Sequence, residues 1–150
     1  MHEQLKLENQ LCFPLYAAAR DVVKHYKPFL DDLGITYTQY ITLMVLWEVG
    51  EAPIKELGAR LHLDSGTLTP LCKKMEAKGL VTRRRDANDE RNVIVSLTDA
   101  GRALEEKAAD VPHKMGACIN LSPDEFKELY RLLYKTIEGL DREEKEVAHG

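Results

Sequence analysis

The chain has 150 residues, of which 31% are charged and 44% hydrophobic, and its formal net charge is −4. This composition is typical of one globular domain, and the longest apolar stretch is too short for a membrane helix, so we expect a cytoplasmic protein with no membrane contact. The three cysteines and five histidines are scattered and form no disulfide framework, metal-ligand spacing or catalytic motif, so we expect no metal, no cofactor and no enzyme activity.

The first predicted helix carries a cysteine near its start. Apolar residues at helical spacing predict a helix from about Leu5 to Leu33, and Gly34 ends it. Pro14 interrupts this pattern because proline has no backbone N–H, so we expect a kink or a true helix start near Cys12. A helix start there would place the positive end of the helix dipole beside the thiol. From the residues alone, Cys12 fits a buried small side chain, half of a disulfide or a reactive thiol.

Three further helices are predicted between residues 36 and 79. Thr36 and Gln39 have the spacing of a capping box ahead of a strongly apolar second helix, which we therefore expect to be central to the core. Pro53 suits the first turn of a short third helix. Asp64 caps a fourth helix, and Gly79 ends it.

The chain then changes to a β pattern and returns to helices. Residues 80–85 and 92–97 are short β-type runs joined by a polar turn, which predicts a hairpin. Thr98 caps a fifth helix, and Ser122, followed by Pro123, begins a sixth. The order of four helices, a hairpin and two helices predicts a mainly α-helical, α+β fold class with a small β-hairpin wing.

Positive charge is concentrated around the fourth helix and the hairpin. Residues 71–91 hold seven basic and four acidic side chains, a net charge of +3, so the remaining residues together carry −7. A basic patch on an acidic body could bind phosphates at one place only. From charge alone, a solvated charged face fits equally well.

The third and fourth helices and the hairpin have the order of a winged helix-turn-helix. The fourth helix would pack one apolar face on the core and present small hydroxyl groups and lysines on the other, which suits a DNA major groove. The hairpin tip would bring an arginine, held by a nearby carboxylate, to a minor groove. The predicted DNA-binding residues are Ser65, Thr67, Thr69, Lys73, Lys74, Arg83, Arg84, Arg85, Asp89 and Arg91.

Four stretches resemble one bacterial family over nearly the whole chain. The stretch "DERNVIVSLTDAG" is similar to the wing of the MarR family of dimeric transcriptional regulators. More narrowly, similarity to the organic hydroperoxide sensor branch, the OhrR group, lies in "LENQLCFPLY", "GITYTQYITLMVLWE" and "LDSGTLTPLCKKME". The resemblance implies a single MarR-type chain over 1–150, with a winged helix-turn-helix region at about 35–100. N- and C-terminal helices, at about 1–34 and 110–150, would form the dimerisation region.

The resemblance also implies roles for the cysteines. Cys12 would be oxidised by an organic hydroperoxide, and Tyr26 and Tyr37 of the partner subunit would hydrogen-bond its sulfur. In two-cysteine members, a cysteine near Cys118 forms a disulfide with the sensor cysteine across the dimer. The implied function is a repressor that binds double-stranded, pseudo-palindromic operator DNA as a homodimer and leaves it on oxidation. We expect Cys72 to be a small core residue.

Several alternatives stay open at this point. A MarR-type repressor released by a small aromatic ligand would not need Cys12. A thiol peroxidase would use Cys12 but would have no use for a basic recognition helix and wing. An interaction protein built on the same fold would not need the DNA-binding side chains. Cys118 could instead pack in the dimer interface, with Cys12 capped by a small thiol, and Pro14 departs from what the group has beside its sensor cysteine.

Overall fold

A computed structural model describes residues 1–150, which divide into two compact units, Met1–Met115 and Gly116–Gly150. The helices are α1 (Cys12–Asp31), α2 (Tyr37–Val49), α3 (Ile54–Leu61), α4 (Ser65–Ala77), α5 (Asp99–Ala108), α6 (Val111–Cys118) and α7 (Pro123–His149); the strands are β1 (Glu51–Pro53), β2 (Val81–Arg85) and β3 (Val93–Leu97). The three strands form one antiparallel sheet in the order β1-β3-β2. No helix combines the length and apolar character needed to cross a lipid bilayer.

The first helix begins at Cys12, as Pro14 predicts. Two 3₁₀ turns, Glu3–Leu5 and Leu7–Asn9, occupy the segment before it, so the helical pattern from Leu5 does not produce an α-helix there. Pro14 is the third residue of α1, where a missing N–H costs no intrahelical hydrogen bond. Pro28 lies further along the same helix without ending it.

Four predicted helix caps are confirmed. Thr36 and Gln39 make both hydrogen bonds of a capping box at the start of α2, and Ser122 makes one with Glu125 at the start of α7. Asp64 accepts the backbone N–H of Thr67 at 2.7 Å, and the Thr98 side chain accepts that of Gly101. Each cap satisfies helix N–H groups that have no partner within the helix.

Strand β1 is absent from the sequence-based prediction. The sequence predicts Pro53 in the first turn of the third helix, but Pro53 ends β1 and is the N-cap residue of α3. The strand pairs antiparallel with β3, with Glu51 opposite Ser96 and Ala52 opposite Val95. A proline is tolerated in β1 because this strand lies at the edge of the sheet.

The first unit has a continuous apolar core. Its fully buried side chains come from α2, α3, α4, the sheet and Leu30 of α1, and the large share from α2 agrees with the apolar sequence of that helix. Trp47 of α2 packs against this core and donates its indole N–H to the backbone oxygen of Gly101 at 2.9 Å, which joins α2 to α5. A Cβ atom at Gly101 would lie 2.1 Å from the backbone oxygen of Leu80, so only glycine allows this close approach.

The C-terminal segments contain one helix more than predicted. Helix α5 ends at Ala108, and α6 starts two residues after Ala109, with Pro112 in its first turn. Helix α7 has 27 residues, none of which is buried. Its exposed large apolar side chains are Phe126, Leu129, Tyr130, Leu132, Tyr134, Leu140 and Val147.

Candidate functional site

Helix α4 has the two faces that the sequence predicts. One face is buried in the core and consists of Leu68, Leu71, Cys72 and Met75. The other face carries the small hydroxyl groups and the lysines: Ser65, Thr67, Lys73 and Lys74 are exposed, and Thr69 is half-buried. Pro70 lies in the interior of the helix on the exposed face. Five of the predicted DNA-binding side chains therefore lie on one helix and can reach a common surface.

The turn between α3 and α4 is tight. His62 closes α3 in the left-handed region, with φ 53° and ψ 41°, and Leu63 then donates its backbone N–H to the Gly58 oxygen at 3.0 Å. A Cβ atom at Gly58 would lie 2.6 Å from the Leu63 oxygen. The absence of a side chain at Gly58 thus allows α3 to turn back closely and sets the start of α4.

A cavity of about 630 Å³ lies between α3, α4 and the wing. Lys55 comes from α3, Ser65 and Thr69 from α4, and Arg91 and Asn92 from the hairpin. Cationic and hydroxyl side chains from three elements converge there, which is the composition expected of a surface that contacts nucleic-acid phosphates. Lys55 is an addition to the residues that the sequence indicated.

The hairpin tip holds one arginine in an extended position. The Arg91 side chain is 90% exposed, and Asp89 accepts hydrogen bonds from its Nε at 3.1 Å and from an Nη at 3.3 Å. These side-chain bonds, followed by the bond from the Arg91 backbone N–H, lower the pKa of the Asp89 carboxyl. Asp89 is therefore ionised at neutral pH and limits the conformations of an otherwise free guanidinium group.

Two arginines of β2 make contacts inside the chain that the sequence did not indicate. Arg83 is bonded to Glu76 of α4, which accepts its backbone N–H at 2.9 Å and its Nε at 3.3 Å. Arg84 donates to Glu51 of β1 at 3.1 Å. Hydrogen bonds from the Ser96 hydroxyl and then from Arg84 lower the pKa of Glu51.

The third arginine of β2, Arg85, donates to the backbone oxygen of Glu90 at 2.8 Å. All three arginines predicted to contact phosphate thus also stabilise the wing within one chain. Such contacts fix where the strand lies before any ligand is bound.

The thiol of Cys12 is accessible and lies at a helix start. Cys12 is exposed and is the first residue of α1, and the N-cap residue Leu11 offers no side-chain cap to the helix amides. Unpaired amides at a helix N-terminus favour a negative charge beside them. Phe13 and Leu15, the apolar neighbours of Cys12 in α1, are themselves partly exposed.

The other two cysteines occupy different environments. Cys118 is exposed and is the last residue of α6. Cys72 is fully buried, and burial raises the pKa of its thiol to about 11 although Arg83 acts in the opposite direction. No group of three or more His, Cys, Asp or Glu side chains has the arrangement of a metal site.

The two tyrosines selected from the sequence lie together. The ring centroids of Tyr26 and Tyr37 are 4.9 Å apart, and Tyr40 lies 5.8 Å from Tyr26. Burial raises the pKa of all three phenols; charge interactions within the cluster contribute second for Tyr26 and Tyr40. These hydroxyl groups are therefore protonated at neutral pH and can donate hydrogen bonds to an anion. Tyr40, one helical turn after Tyr37, is a third member of this cluster that no sequence motif indicates.

Comparison with known proteins gives consistent matches. The sequence model of the family described as "Transcriptional regulator SarA/Rot" matches residues 24–108. The chain is 49% identical over 138 residues to the organic hydroperoxide resistance transcriptional regulator of Bacillus subtilis, covering 92% of this chain and 94% of that protein. The chain belongs to the MarR family of transcriptional regulators, in the organic hydroperoxide sensor branch.

Solved structures of MarR-family proteins have the same fold. Reduced AbfR bound to DNA, a Staphylococcus epidermidis protein, is 38% identical with a TM-score of 0.77, covering 92% of this chain and 96% of that chain. A mutant of Escherichia coli MarR complexed with operator DNA is 28% identical with a TM-score of 0.74, covering 84% and 92%. AbfR is also known in a disulfide form, with a TM-score of 0.63 over 90% of this chain and 95% of that chain.

These matches confirm several predictions made from the sequence. The fold class, a mainly helical winged helix-turn-helix, is confirmed, and so is membership of the hydroperoxide-sensing branch of the MarR family. The relatives are transcriptional regulators, so the chain is a regulator and not an enzyme. The roles of individual residues stay predictions.

Proposed function

We propose that this chain is a cytoplasmic, peroxide-responsive repressor that binds operator DNA as a homodimer. An organic hydroperoxide oxidises Cys12, and the oxidised dimer leaves the DNA. The observation that carries this proposal is the accessible Cys12 thiol at the uncapped start of α1, in a chain 49% identical to an organic hydroperoxide resistance regulator.

Operator binding uses α4 and the wing. The exposed hydroxyl groups of Ser65, Thr67 and Thr69 contact base edges in the major groove, and Lys73 and Lys74 contact phosphates. Arg91, held by Asp89, enters the adjacent minor groove. Two copies of α4 then contact half-sites about 34–36 Å apart on a pseudo-palindrome. AbfR, a relative, has been solved bound to DNA in its reduced state.

The β2 arginines have a double role in this proposal. Arg83, Arg84 and Arg85 contribute positive charge toward phosphates while their hydrogen bonds within the chain hold the wing. Each phosphate contact adds to the salt dependence of binding because counterions are released from the DNA.

Dimerisation uses the helices at about 1–34 and 110–150. These segments contain most of the large apolar side chains that one chain leaves exposed, including Leu11 and Phe13 before and within α1 and Leu129 and Tyr130 in α7. Exposed apolar area of this kind is typical of a surface covered by a second subunit.

The sensing reaction is a two-electron oxidation of sulfur. The Cys12 thiolate attacks one oxygen of the hydroperoxide group, an S–O bond forms, and the O–O bond breaks. The peroxide is reduced to an alcohol after its alkoxide takes up a proton, and the cysteine becomes a sulfenic acid. Tyr26 and Tyr37 of the partner subunit donate hydrogen bonds to the sulfur before it reacts, which their protonated hydroxyls allow.

Cys118 of the other subunit completes the switch. Its thiolate attacks the sulfenic sulfur of Cys12, an S–S bond forms, and hydroxide leaves as water after protonation. The disulfide form of AbfR, a relative, supports disulfide formation as the last step. To cancel a thousandfold preference for the operator, the rearrangement must cost about 4 kcal/mol of binding free energy.

The test is one titration with two readouts. Cumene hydroperoxide is added to protein bound to the DNA upstream of its own gene; DNA release is followed by fluorescence anisotropy, and the same samples are run on a non-reducing denaturing gel. We expect release together with a dithiothreitol-reversible dimer band. Cys12→Ser should stay bound, and Cys118→Ser should lose the band. Release of Cys12→Ser would contradict the sensor role, and release of wild type without a band would contradict only the role of Cys118.

A second candidate function rests on a cavity of about 350 Å³ between α2, α5 and α6. Tyr40, Met44 and Trp47 form its apolar wall, and Glu48 and Glu105 lie at its edge. A small neutral or cationic aromatic ligand suits this lining better than an anionic one because of the two carboxylates. Trp47 is the single tryptophan, so quenching of its fluorescence by a ligand that also releases DNA from Cys12→Ser would favour this function.

A further inference from the structure

The last turn of α4 is held from two sides. On one side, Lys78 Nζ donates to the backbone oxygen of Gly34 at 2.7 Å and to Oε1 of Gln39 at 2.9 Å. On the other side, Glu76 accepts two hydrogen bonds from Arg83 of β2. Because Glu76 and Lys78 are two residues apart, the end of the recognition helix is joined both to the wing and to the α1–α2 turn.

The α1–α2 turn is also the place where a sensor tyrosine begins its helix. Gln39 Oε1, which accepts from Lys78, accepts the backbone N–H of Thr36 at 3.1 Å, and Thr36 directly precedes Tyr37. Gln39 is 2% exposed. Lys78 is exposed, but the buried Gln39 oxygen would lose a donor that water does not readily replace, so the hydrogen bond favours movement of Lys78 together with the turn.

We propose that Lys78 and Gln39 are positioning residues that transmit the state of the tyrosine cluster to the recognition helix. This inference rests on the proposed function. Oxidation changes what the hydroxyl of Tyr37 contacts, and a displacement of Tyr37 carries Thr36 and Gln39 with it. Lys78 then moves with its two acceptors, and the C-terminal turn of α4 changes its angle to the DNA groove.

The alternative is that Lys78 only stabilises the fold. A lysine at a helix C-terminus interacts favourably with the helix dipole wherever it lies. Lys107, in the last turn of α5, is exposed and provides that interaction at the end of another helix. Lys107 is therefore the matched control for the loss of one exposed positive charge.

The experiment compares operator binding before and after oxidation. Dissociation constants are measured by fluorescence anisotropy for reduced protein and for protein oxidised with cumene hydroperoxide. The readout is the dissociation constant of the oxidised protein divided by that of the reduced protein. In Lys78→Met we expect reduced-state affinity close to wild type and a ratio smaller by roughly threefold to tenfold. Lys78→Arg, which keeps donors for both oxygens, and Lys107→Met should keep the wild-type ratio.

One result would overturn this inference while leaving the proposed function intact, namely an unchanged ratio in Lys78→Met. If the ratio is unchanged because affinity falls equally in both redox states, Lys78 has a structural role alone. A wild-type protein that stays on DNA after oxidation overturns the proposed function and this inference together.

Discussion

The winged region and the C-terminal helix are built in opposite ways. In the winged region, Leu43, Leu46, Leu57 and Val95 are 0% exposed, and each helix start is fixed by a cap or by a neighbouring strand. Helix α7 has a complete capping box but no buried residue along its 27 positions. Local signals are thus sufficient to start a helix, whereas burial of its apolar face needs something to pack against.

This difference indicates a division of work between the two regions. The surface proposed to contact DNA is complete within one chain, because residues of that chain alone form the cavity between α3, α4 and the wing. The proposed dimerisation surface is only half of an interface. Substitutions that disturb packing in the winged region should therefore lower its stability, and substitutions on the apolar face of α7 should weaken dimer formation.

The largest expected effect comes from a charge on the apolar face of α7. Leu129 is exposed in the single chain, so Leu129→Glu should leave the winged fold intact but prevent dimer formation. Operator affinity should fall by more than about 100-fold because the two half-sites are no longer bound together. Sedimentation velocity and DNA-binding titrations measure both effects. Lys135→Gln, on the opposite face of α7, makes the same change in charge and is the control. If Leu129→Glu forms a dimer with wild-type affinity, the proposed interface is contradicted.

The next prediction compares the reactivity of the buried Cys72 thiol with that of the exposed Cys12 thiol. With its thiol pKa raised to about 11, Cys72 is thiolate in about one molecule per thousand at pH 8, and it is fully buried. In a Cys118→Ser background, we expect Cys12 to react with a maleimide and Cys72 to react only after unfolding in guanidinium. Mass spectrometry of labelled peptides identifies the modified residue. Rapid labelling of Cys72 in the native protein would show that α4 is not packed as described.

A smaller effect is expected when a glycine in each region is replaced by alanine and the free energy of unfolding is compared. Gly101→Ala should lower the free energy of unfolding by about 1–3 kcal/mol, since its Cβ would overlap the Leu80 oxygen. Gly139→Ala in α7 meets nothing within 4 Å and should stabilise the helix by up to about 1 kcal/mol. Urea denaturation of both variants gives the comparison. Equal effects of the two substitutions would contradict the close contact between α5 and Leu80.

The smallest effect concerns the turn before the recognition helix. His62→Gly relieves the steric strain of a left-handed backbone, but it also removes an interaction of the histidine and adds the entropy cost of glycine, so the free energy of unfolding should change by less than about 1 kcal/mol. Thermal unfolding measures it, with His113→Gly in α6 as a control expected to destabilise. A larger change in either direction would show that these contributions do not balance.

The sequence predicts features that depend on neighbouring residues. Thr36, Asp64, Thr98 and Ser122 cap their helices through partners three residues further along, so the caps can be identified without a tertiary structure. The helix start at Cys12 likewise follows from Pro14. The faces of α4 follow from the helical period alone.

Features that join distant parts of the chain could not be predicted in this way. Strand β1 is defined by its pairing with β3, in which Glu51 lies opposite Ser96. A three-residue segment that ends in proline has no strand pattern of its own. The predicted phosphate role of Arg83 omitted its bonds to Glu76, which require the wing to fold back on α4. The contact of Lys78 with Gln39 spans 39 positions, and no local motif indicates it.

The length of α7 has a geometric consequence for any dimer built on it. At about 1.5 Å per residue, its 27 residues extend roughly 40 Å. A rigid rod of that length acts as a lever: a tilt of about 5° at one end moves the other end by roughly 3.5 Å. That distance is close to the rise of one base pair, about 3.4 Å. An angular change too small to disturb the helix internally therefore displaces its far end by about the rise of one base pair.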